Sequence, residues 1–499
     1  MVEVRRTHKR WFETGHLTLG LKERSVKGGA NTIFAQFFSF GTNMISTAVM
    51  ARLVSPEGFG IVAMVTAVTG FVVIFKDLGF STAVVQNKSV SQKQVSTLFW
   101  MNILFSLGIS LIVVGLAPIL VSFYHEPRLF DITVVFALSI FISGFSLQHN
   151  ALMKRQMRFK RLSKIQMLNS GVSLLLGIGL AMMGLDYWAI VGTSVAQTLL
   201  NVILLWVFCD WRPHFAFDVS RVKHLLRFGA GITGFDLVNY FSRNADNVLI
   251  GRFAGAAALG LYSKSYQLLM LPITQLRMPL NTVTLPALSA LQHNKPKYAE
   301  FYKRYVFILA FFSMPLVACL AVFSKEIVLI VLGDDWIEAS YIFQLLAFAS
   351  FIQPVAGSKG VVMITMGQTR KYFAWGVVNA VFTVAGYLIG VQWGISGVAI
   401  SYIIVNYLLL LPSLYWCFEG TPISVSMFFG EIFHPFLFSA ISAVVSIFVK
   451  YYFAELPQLA LVIVGFGVGA MVYIALWFTS ALTRSKFKAV MEIRSLIFK

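Results

Sequence analysis

Gln458–Leu482 reads QLALVIVGFGVGAMVYIALWFTSAL, a run without a single Asp, Glu, Lys or Arg. About 20 apolar residues in helical form span the hydrocarbon core of a bilayer. Backbone groups find no water there, so only helices or closed barrels cross it. Apolar residues follow one another in this run instead of alternating with polar ones, as a barrel strand would need. The stretch is a membrane-spanning helix.

The rest of the chain repeats that pattern. It has 499 residues, of which 58% are hydrophobic and 12% charged, with mean hydropathy +0.76; soluble domains carry about 25% charged residues. Spans are predicted near 29–52, 58–83, 95–123, 129–152, 163–184, 187–209, 225–250, 257–283, 304–332, 337–366, 372–391, 394–417, 431–450 and 458–482. The expected fold class is therefore all-α and polytopic, with about fourteen transmembrane helices. The first 27 residues, basic and too polar for a signal peptide, read as a cytoplasmic tail able to lie on anionic lipid.

The net charge of +19 raises nucleic acid as a partner, but the basic residues recur in short clusters between spans instead of forming one patch. Of 40 Lys and Arg, 30 fall in alternate segments beginning with the N-terminal tail, and the intervening loops hold five: Arg52, Arg128, Arg252, Lys325 and Lys450. Five more lie inside spans: Lys76, Arg243, Lys264, Arg277 and Lys359. By the positive-inside rule both termini are cytoplasmic.

An internal repeat stands at an offset of 200 residues. Ala51-Arg52-Leu53-Val54 with Phe59-Gly60 matches Gly251-Arg252-Phe253-Ala254 with Leu259-Gly260. Six spans separate the copies, so both halves run the same way through the membrane, the pseudo-symmetry of a two-bundle transporter. The expected organisation is a basic tail 1–27, a six-helix bundle 28–210 and a cytoplasmic linker 211–224. A second six-helix bundle 225–418, two additional helices within 430–482 and a basic tail 483–499 follow.

Catalytic motifs are absent: there is no P-loop, Gly-x-Ser-x-Gly or His-Glu-x-x-His, and no metal-ligand spacing. No cofactor or metal is expected. Cys209, Cys319 and Cys417 sit in or beside apolar spans and read as buried thiols. His149 and His434, near span ends, read as interfacial side chains.

Charge inside spans carries the functional signal, since each such residue costs at least ~2.5–3.5 kcal/mol at a helix centre. Asp236, Asn239, Arg243, Asp246 and Asn247 form one face of span seven, with Arg243 and Asp246 at pairing distance i,i+3. That stripe either pins helices together or lines a cavity. Span eight carries Lys264, Gln267, Gln275 and Arg277, the last two between Pro272 and Pro279, where a kink is expected. Lys359 lies in span ten and Lys76 and Asp77 in span two, Asp77 matching Arg277 in the repeat. Five cations against Asp77, Asp236 and Asp246 leave an excess of positive charge, which an anion would neutralise; arginine matches phosphate geometry.

Ala51-Arg52-Leu53-Val54-Ser55-Pro56-Glu57-Gly58-Phe59-Gly60 and Asp77-Leu78-Gly79-Phe80 carry a family resemblance. So do Asp246-Asn247-Val248-Leu249-Ile250-Gly251-Arg252, Leu259-Gly260-Leu261-Tyr262-Ser263 and Leu285-Pro286-Ala287-Leu288-Ser289. Together, from about Ser25 to Leu482, they resemble the polysaccharide repeat-unit flippases of the multidrug/oligosaccharidyl-lipid/polysaccharide superfamily, nearest to colanic-acid and lipopolysaccharide exporters. The resemblance implies two six-helix bundles around a central cavity in a bacterial inner membrane. It also implies an undecaprenyl-pyrophosphate-linked repeat unit as substrate, membrane lipids as surroundings, and polymerase and export machinery as partners. On that basis Arg243, Lys264, Arg277 and Lys359 are expected at the pyrophosphate, and Asn239, Gln267 and Gln275 at the sugars. Asp77, Asp236, Asp246 and Lys76 are expected in gating or ion coupling. The rival readings are a cation-coupled multidrug antiporter, which would want an acidic or neutral cavity, and a membrane glycosyltransferase or polymerase, which would want larger outer loops.

Overall fold

The computed structural model describes residues 11–12, 21–74, 80–87, 90–215, 240 and 243–488. Every regular element among them is helical. Two compact units divide after Gly260. The expected linker 211–224 lies mostly outside the described residues.

The first unit contains α1 (Leu21–Leu53), α2 (Pro56–Ile74), α3 (Phe80–Gln86), α4 (Gln92–Tyr124) and α5 (Leu129–Ser143). It continues with α6 (Leu147–Arg155), α7 (Phe159–Met182), α8 (Tyr187–Phe208) and helical residues 243–253, called α9. Local sequence sets the ends. Ser91 and Gln94 close a capping box at the start of α4, and His125 in the left-handed region (φ 58°) ends it. Helices cross where side chains are small or hydroxylated, as lipid-embedded packing favours. Ser39 of α1 meets Ser170 of α7 at 3.2 Å, and Ser110 of α4 donates to the Ala137 carbonyl of α5 at 2.7 Å. The wide apolar faces left over, such as Ile33, Phe34 and Phe37 on α1, are exposed and suit lipid.

In the second unit, α10 (Gly255–Leu291) begins in the last residues of the first unit and stays helical through Pro272, Pro279 and Pro286. It is followed by α11 (Lys295–Val322), α12 (Ser324–Val331), α13 (Ala339–Ser350), α14 (Gln353–Ala356) and α15 (Ser358–Thr365). The chain then forms α16 (Thr369–Gly390), α17 (Gly394–Leu408), α18 (Leu410–Phe418), α19 (Val425–Tyr452) and α20 (Gln458–Leu476). Sequence span ten, predicted as one helix, is broken: α13 and the α14–α15 segment meet at a 40° bend. Pro354 at the first turn of α14 explains the break, because it cannot donate to the preceding turn. The short turn near Gln392 separates two helices, with Gly390 and Gly397 close enough that a Cβ on either would overlap the other's carbonyl.

Eight helices among the described residues are long and apolar enough to cross a membrane, and nine if the bent pair is one span. The chain is a multi-pass membrane protein. The three cysteines are free and buried, as expected. His149 is not interfacial: it is fully buried, with ring centroids of Trp206, Trp211 and Phe99 at 4.6, 5.0 and 6.0 Å.

Candidate functional site

α10 carries four of the predicted site residues in the second unit: Lys264, Gln267, Gln275 and Arg277. Lys264 Nζ donates to Gln267 Oε1 at 3.0 Å, one turn apart on one face, so a residue assigned to phosphate and one assigned to sugar adjoin. Gln275 is exposed. Arg277 is half-buried and lies against Gly357, the residue between α14 and α15. A Cβ on Gly357 would stand 2.8 Å from Nη2 and 3.0 Å from Cζ and Nη1. No hydrogen bond or ion pair joins Arg277 to another described residue, and its Nε is buried without a partner.

Lys359 takes another direction. Its Nζ donates to Ser413 Oγ of α18 at 2.6 Å and stands 5.9 Å from the Trp375 ring centroid of α16. Two residues along a helix are about 200° apart, so Lys359 faces away from the Gly357 side that holds Arg277. Of the three cations expected in this unit, Arg277 and Lys359 thus face different ways.

Sequence reasoning passed over what fixes the broken span. Tyr298, Tyr302 and Tyr305 recur at i, i+4 and i+7 along α11, a spacing visible in the sequence. Their hydroxyls meet Thr365 Oγ1 (2.6 Å), Ser358 Oγ (2.8 Å) and Asn281 Oδ1 (2.6 Å). This ladder holds α15 on one side and α10, one turn past Arg277, on the other. Gln353 Nε2 donates to the Tyr402 hydroxyl at 2.6 Å at the start of α14.

The electrostatics of the second unit are one-sided. The segments 261–299 and 339–418, which contain Lys264, Arg277 and Lys359, hold no Asp or Glu at all. The ion pairs seen among the described residues of this unit do not include those three cations: Arg304–Glu300, Lys371–Glu419, Lys450–Glu326 and Lys486–Glu431. A cavity of about 390 Å³ bounded by α11, α19 and α20 is lined by Phe311, Pro315, Cys319, Phe466 and Tyr473 among others, and offers no charge.

In the first unit, Arg243 is exposed and makes no ion pair with a described residue, so the i,i+3 pair expected with Asp246 is not formed. Asp246 is buried, and its Oδ1 accepts the Asn247 amide at 2.8 Å. Lys76, Asp77, Asp236 and Asn239 lie outside the described residues. The motif around Ser55 builds a tie among three turns. Asp186 (φ 40°) accepts from the Ser55 amide at 2.9 Å and its hydroxyl at 3.1 Å. Arg128 bonds Glu57 at 2.5 Å and Glu126 at 2.7 Å. The Arg128 hydrogen bond holds the Glu126 carboxyl below the ordinary carboxylate range.

At the other end of this unit Trp11 is seated in protein. Trp11 is 2% exposed, Arg158 stacks on its ring at 3.8 Å, and Gln156 Nε2 donates to its carbonyl at 2.9 Å. Arg155 donates to the carbonyls of Val84, Asn87 and Phe12 at 2.8, 2.5 and 3.2 Å, a cationic cap on the end of α3. A tail lying wholly on lipid does not describe Trp11.

The described residues thus form a multi-helix membrane fold in which a half-buried Arg277 has no hydrogen-bond or ion-pair partner among them. The chain belongs to the polysaccharide biosynthesis protein family, whose pattern matches residues 49–341. It is 28% identical to the teichuronic acid biosynthesis protein TuaB of Bacillus subtilis (strain 168), over 76% of this chain and 79% of that one. It is 22% identical to the succinoglycan biosynthesis transport protein ExoT of Rhizobium meliloti (strain 1021), over 89% and 91%. Its fold matches the lipid II flippase MurJ in an inward closed conformation, with TM-score 0.73 and 14% identity over 93% of this chain and 99% of that one.

Proposed function

We propose that this protein is a flippase of the bacterial inner membrane. It carries an undecaprenyl-pyrophosphate-linked oligosaccharide from the inner to the outer leaflet for polysaccharide assembly, and it makes or breaks no covalent bond. The observation that carries this reading is Arg277: a half-buried guanidinium in the membrane-spanning part of the chain, on helical segments without a carboxylate. A buried cation without a partner is costly, and a pyrophosphate supplies the partner in the bidentate geometry arginine favours. The names of TuaB, ExoT and MurJ support the same class of cargo.

In this reading Arg277 holds the phosphates, aided by Lys264, Lys359 and Arg243 at successive stages, since Lys359 and Arg277 face different ways. Gln267, Gln275 and Asn239 meet sugar hydroxyls. Asp246, with Asp77, Asp236 and Lys76, serves gating or ion coupling. The chain crosses the membrane fourteen times with both termini inside, and alternates access between leaflets. An inside-negative potential favours outward movement of anionic groups by ~2.3 kcal/mol per charge per 100 mV.

The test is leaflet transfer. With the purified protein in sealed vesicles, lipid-linked oligosaccharide placed in the inner leaflet should become accessible to an added glycosidase, with its mass unchanged before digestion. Substrate that stays protected, or returns with an altered mass, defeats the reading.

A further inference from the structure

Asn281 lies one turn past Arg277 on α10, at the i,i+4 spacing that puts two side chains on one face. Both are half-buried, and both meet the same neighbours. Arg277 rests on Gly357, and the next residue, Ser358, meets the Tyr302 hydroxyl at 2.8 Å. The Tyr302 ring centroid stands 6.3 Å from that of Tyr305, whose hydroxyl returns to Asn281 at 2.6 Å. The circuit leaves α10 at the guanidinium and comes back to it at the amide.

The last bond decides what Asn281 can offer. A carboxamide carries an acceptor on Oδ1 and two hydrogens on Nδ2, whereas a phenol has a single hydrogen. Tyr305 is 3% exposed and makes no other hydrogen bond among the described residues. A buried hydroxyl hydrogen left unpaired is costly, so Tyr305 donates, and Oδ1 is the atom that accepts. The acceptor of Asn281 is thereby used within the protein, and Nδ2 keeps both hydrogens, with no partner among the described residues. One turn away the guanidinium adds further donors and no acceptor. A sugar hydroxyl, which donates as well as accepts, finds nothing here to receive its hydrogen. A phosphate oxygen only accepts, and matches.

We propose that Asn281 Nδ2 and the Arg277 guanidinium form a donor-only seat for a phosphate group, and that Tyr305 is the positioning residue that turns the amide. The proposal deepens the flippase reading and rests on it for the ligand, a lipid pyrophosphate. It adds an uncharged residue to the site and gives the site a means of preferring phosphate to sugar.

The experiment titrates the purified full chain in detergent with farnesyl pyrophosphate, a short-chain probe, by calorimetry. Asn281→Leu should weaken binding about tenfold, the scale of one hydrogen bond to a charged group. Asn281→Asp keeps the size and the Tyr305 bond but sets an acceptor and a negative charge beside Arg277, so it should bind more weakly than Asn281→Leu. Tyr305→Phe should weaken binding about threefold, within the range of one neutral hydrogen bond, and should have no further effect once Asn281 is leucine. That non-additivity marks a residue acting through another; a purely structural role for Tyr305 would add its full effect in both backgrounds. Undiminished binding by Asn281→Leu, binding by Asn281→Asp as tight as by Asn281→Leu, or additive losses would each overturn the proposal. If the variants behave as expected but the unaltered protein transfers no lipid-linked oligosaccharide, the seat stands and the flippase reading falls. If transfer proceeds while the unaltered chain binds no farnesyl pyrophosphate, the flippase reading stands and the seat falls.

Discussion

The guanidinium of Arg277 rests on Gly357, occupying the space a side chain would take at that position. Gly357 joins two short helices just after a 40° bend, so the notch exists because the span is broken there. A glycine is needed at this place for room, since its backbone is ordinary helix (φ −65°).

Gly357→Ala should shift the guanidinium without unfolding the protein. An arginine forced some 30° off its rotamer loses ~0.5–1.5 kcal/mol, so transfer of lipid-linked oligosaccharide should fall by about two- to tenfold. Protein level and thermal midpoint in detergent should stay close to those of the unaltered chain. Unchanged transfer would mean that the position of Arg277 in the notch is of no consequence.

Tyr302→Phe removes a hydroxyl that is fully enclosed with Ser358 Oγ. Side-chain bonds between membrane helices average about 0.6 kcal/mol and reach about 1.7, so unfolding in detergent should occur earlier by that amount. Tyr298→Phe, which releases Thr365, should behave alike. If both variants unfold with the parent, the tyrosine ladder does not hold α15.

The Arg128 tie in the first unit should show a pH signature. Arg128 depresses the Glu126 carboxyl in the folded chain, so its contribution is full above the ordinary carboxylate range. It is lost as pH falls through the lowered value. Both side chains are partly exposed, 40% for Arg128 and 18% for Glu126, and solvent screening limits the effect to about 1 kcal/mol. Thermal midpoints measured from neutral pH downward should therefore drop in acid, and Arg128→Ala should flatten that drop. An identical acid profile in the variant would remove Arg128 as its cause.

Much of the fold was legible because lipid imposes a simple rule: long uncharged runs such as Gln458–Leu482 must be helices, and α20 is one. Gly60 and Gly260, matched in the repeat, each lie where a Cβ would overlap a carbonyl of the other segment. The broken span was not legible, because Pro354 reads in sequence as a tolerable residue inside one long helix; only its seat at a helix start reveals the bend. For the candidate site, charge drew attention to Arg277, but no periodicity could say that Lys359 turns to Ser413 and Trp375 instead. Gly357 carries no sequence signal of its own. Its importance arises from a side chain eighty positions away.

The most direct measurement is the rate of leaflet transfer by Arg277→Ala beside the unaltered protein, at matched amounts in vesicles. Loss of a desolvated charge pairing costs about 2–5 kcal/mol, so the rate should fall at least about thirtyfold, while transfer with Arg277→Lys stays between the two. Transfer by Arg277→Ala at the unaltered rate would contradict the account.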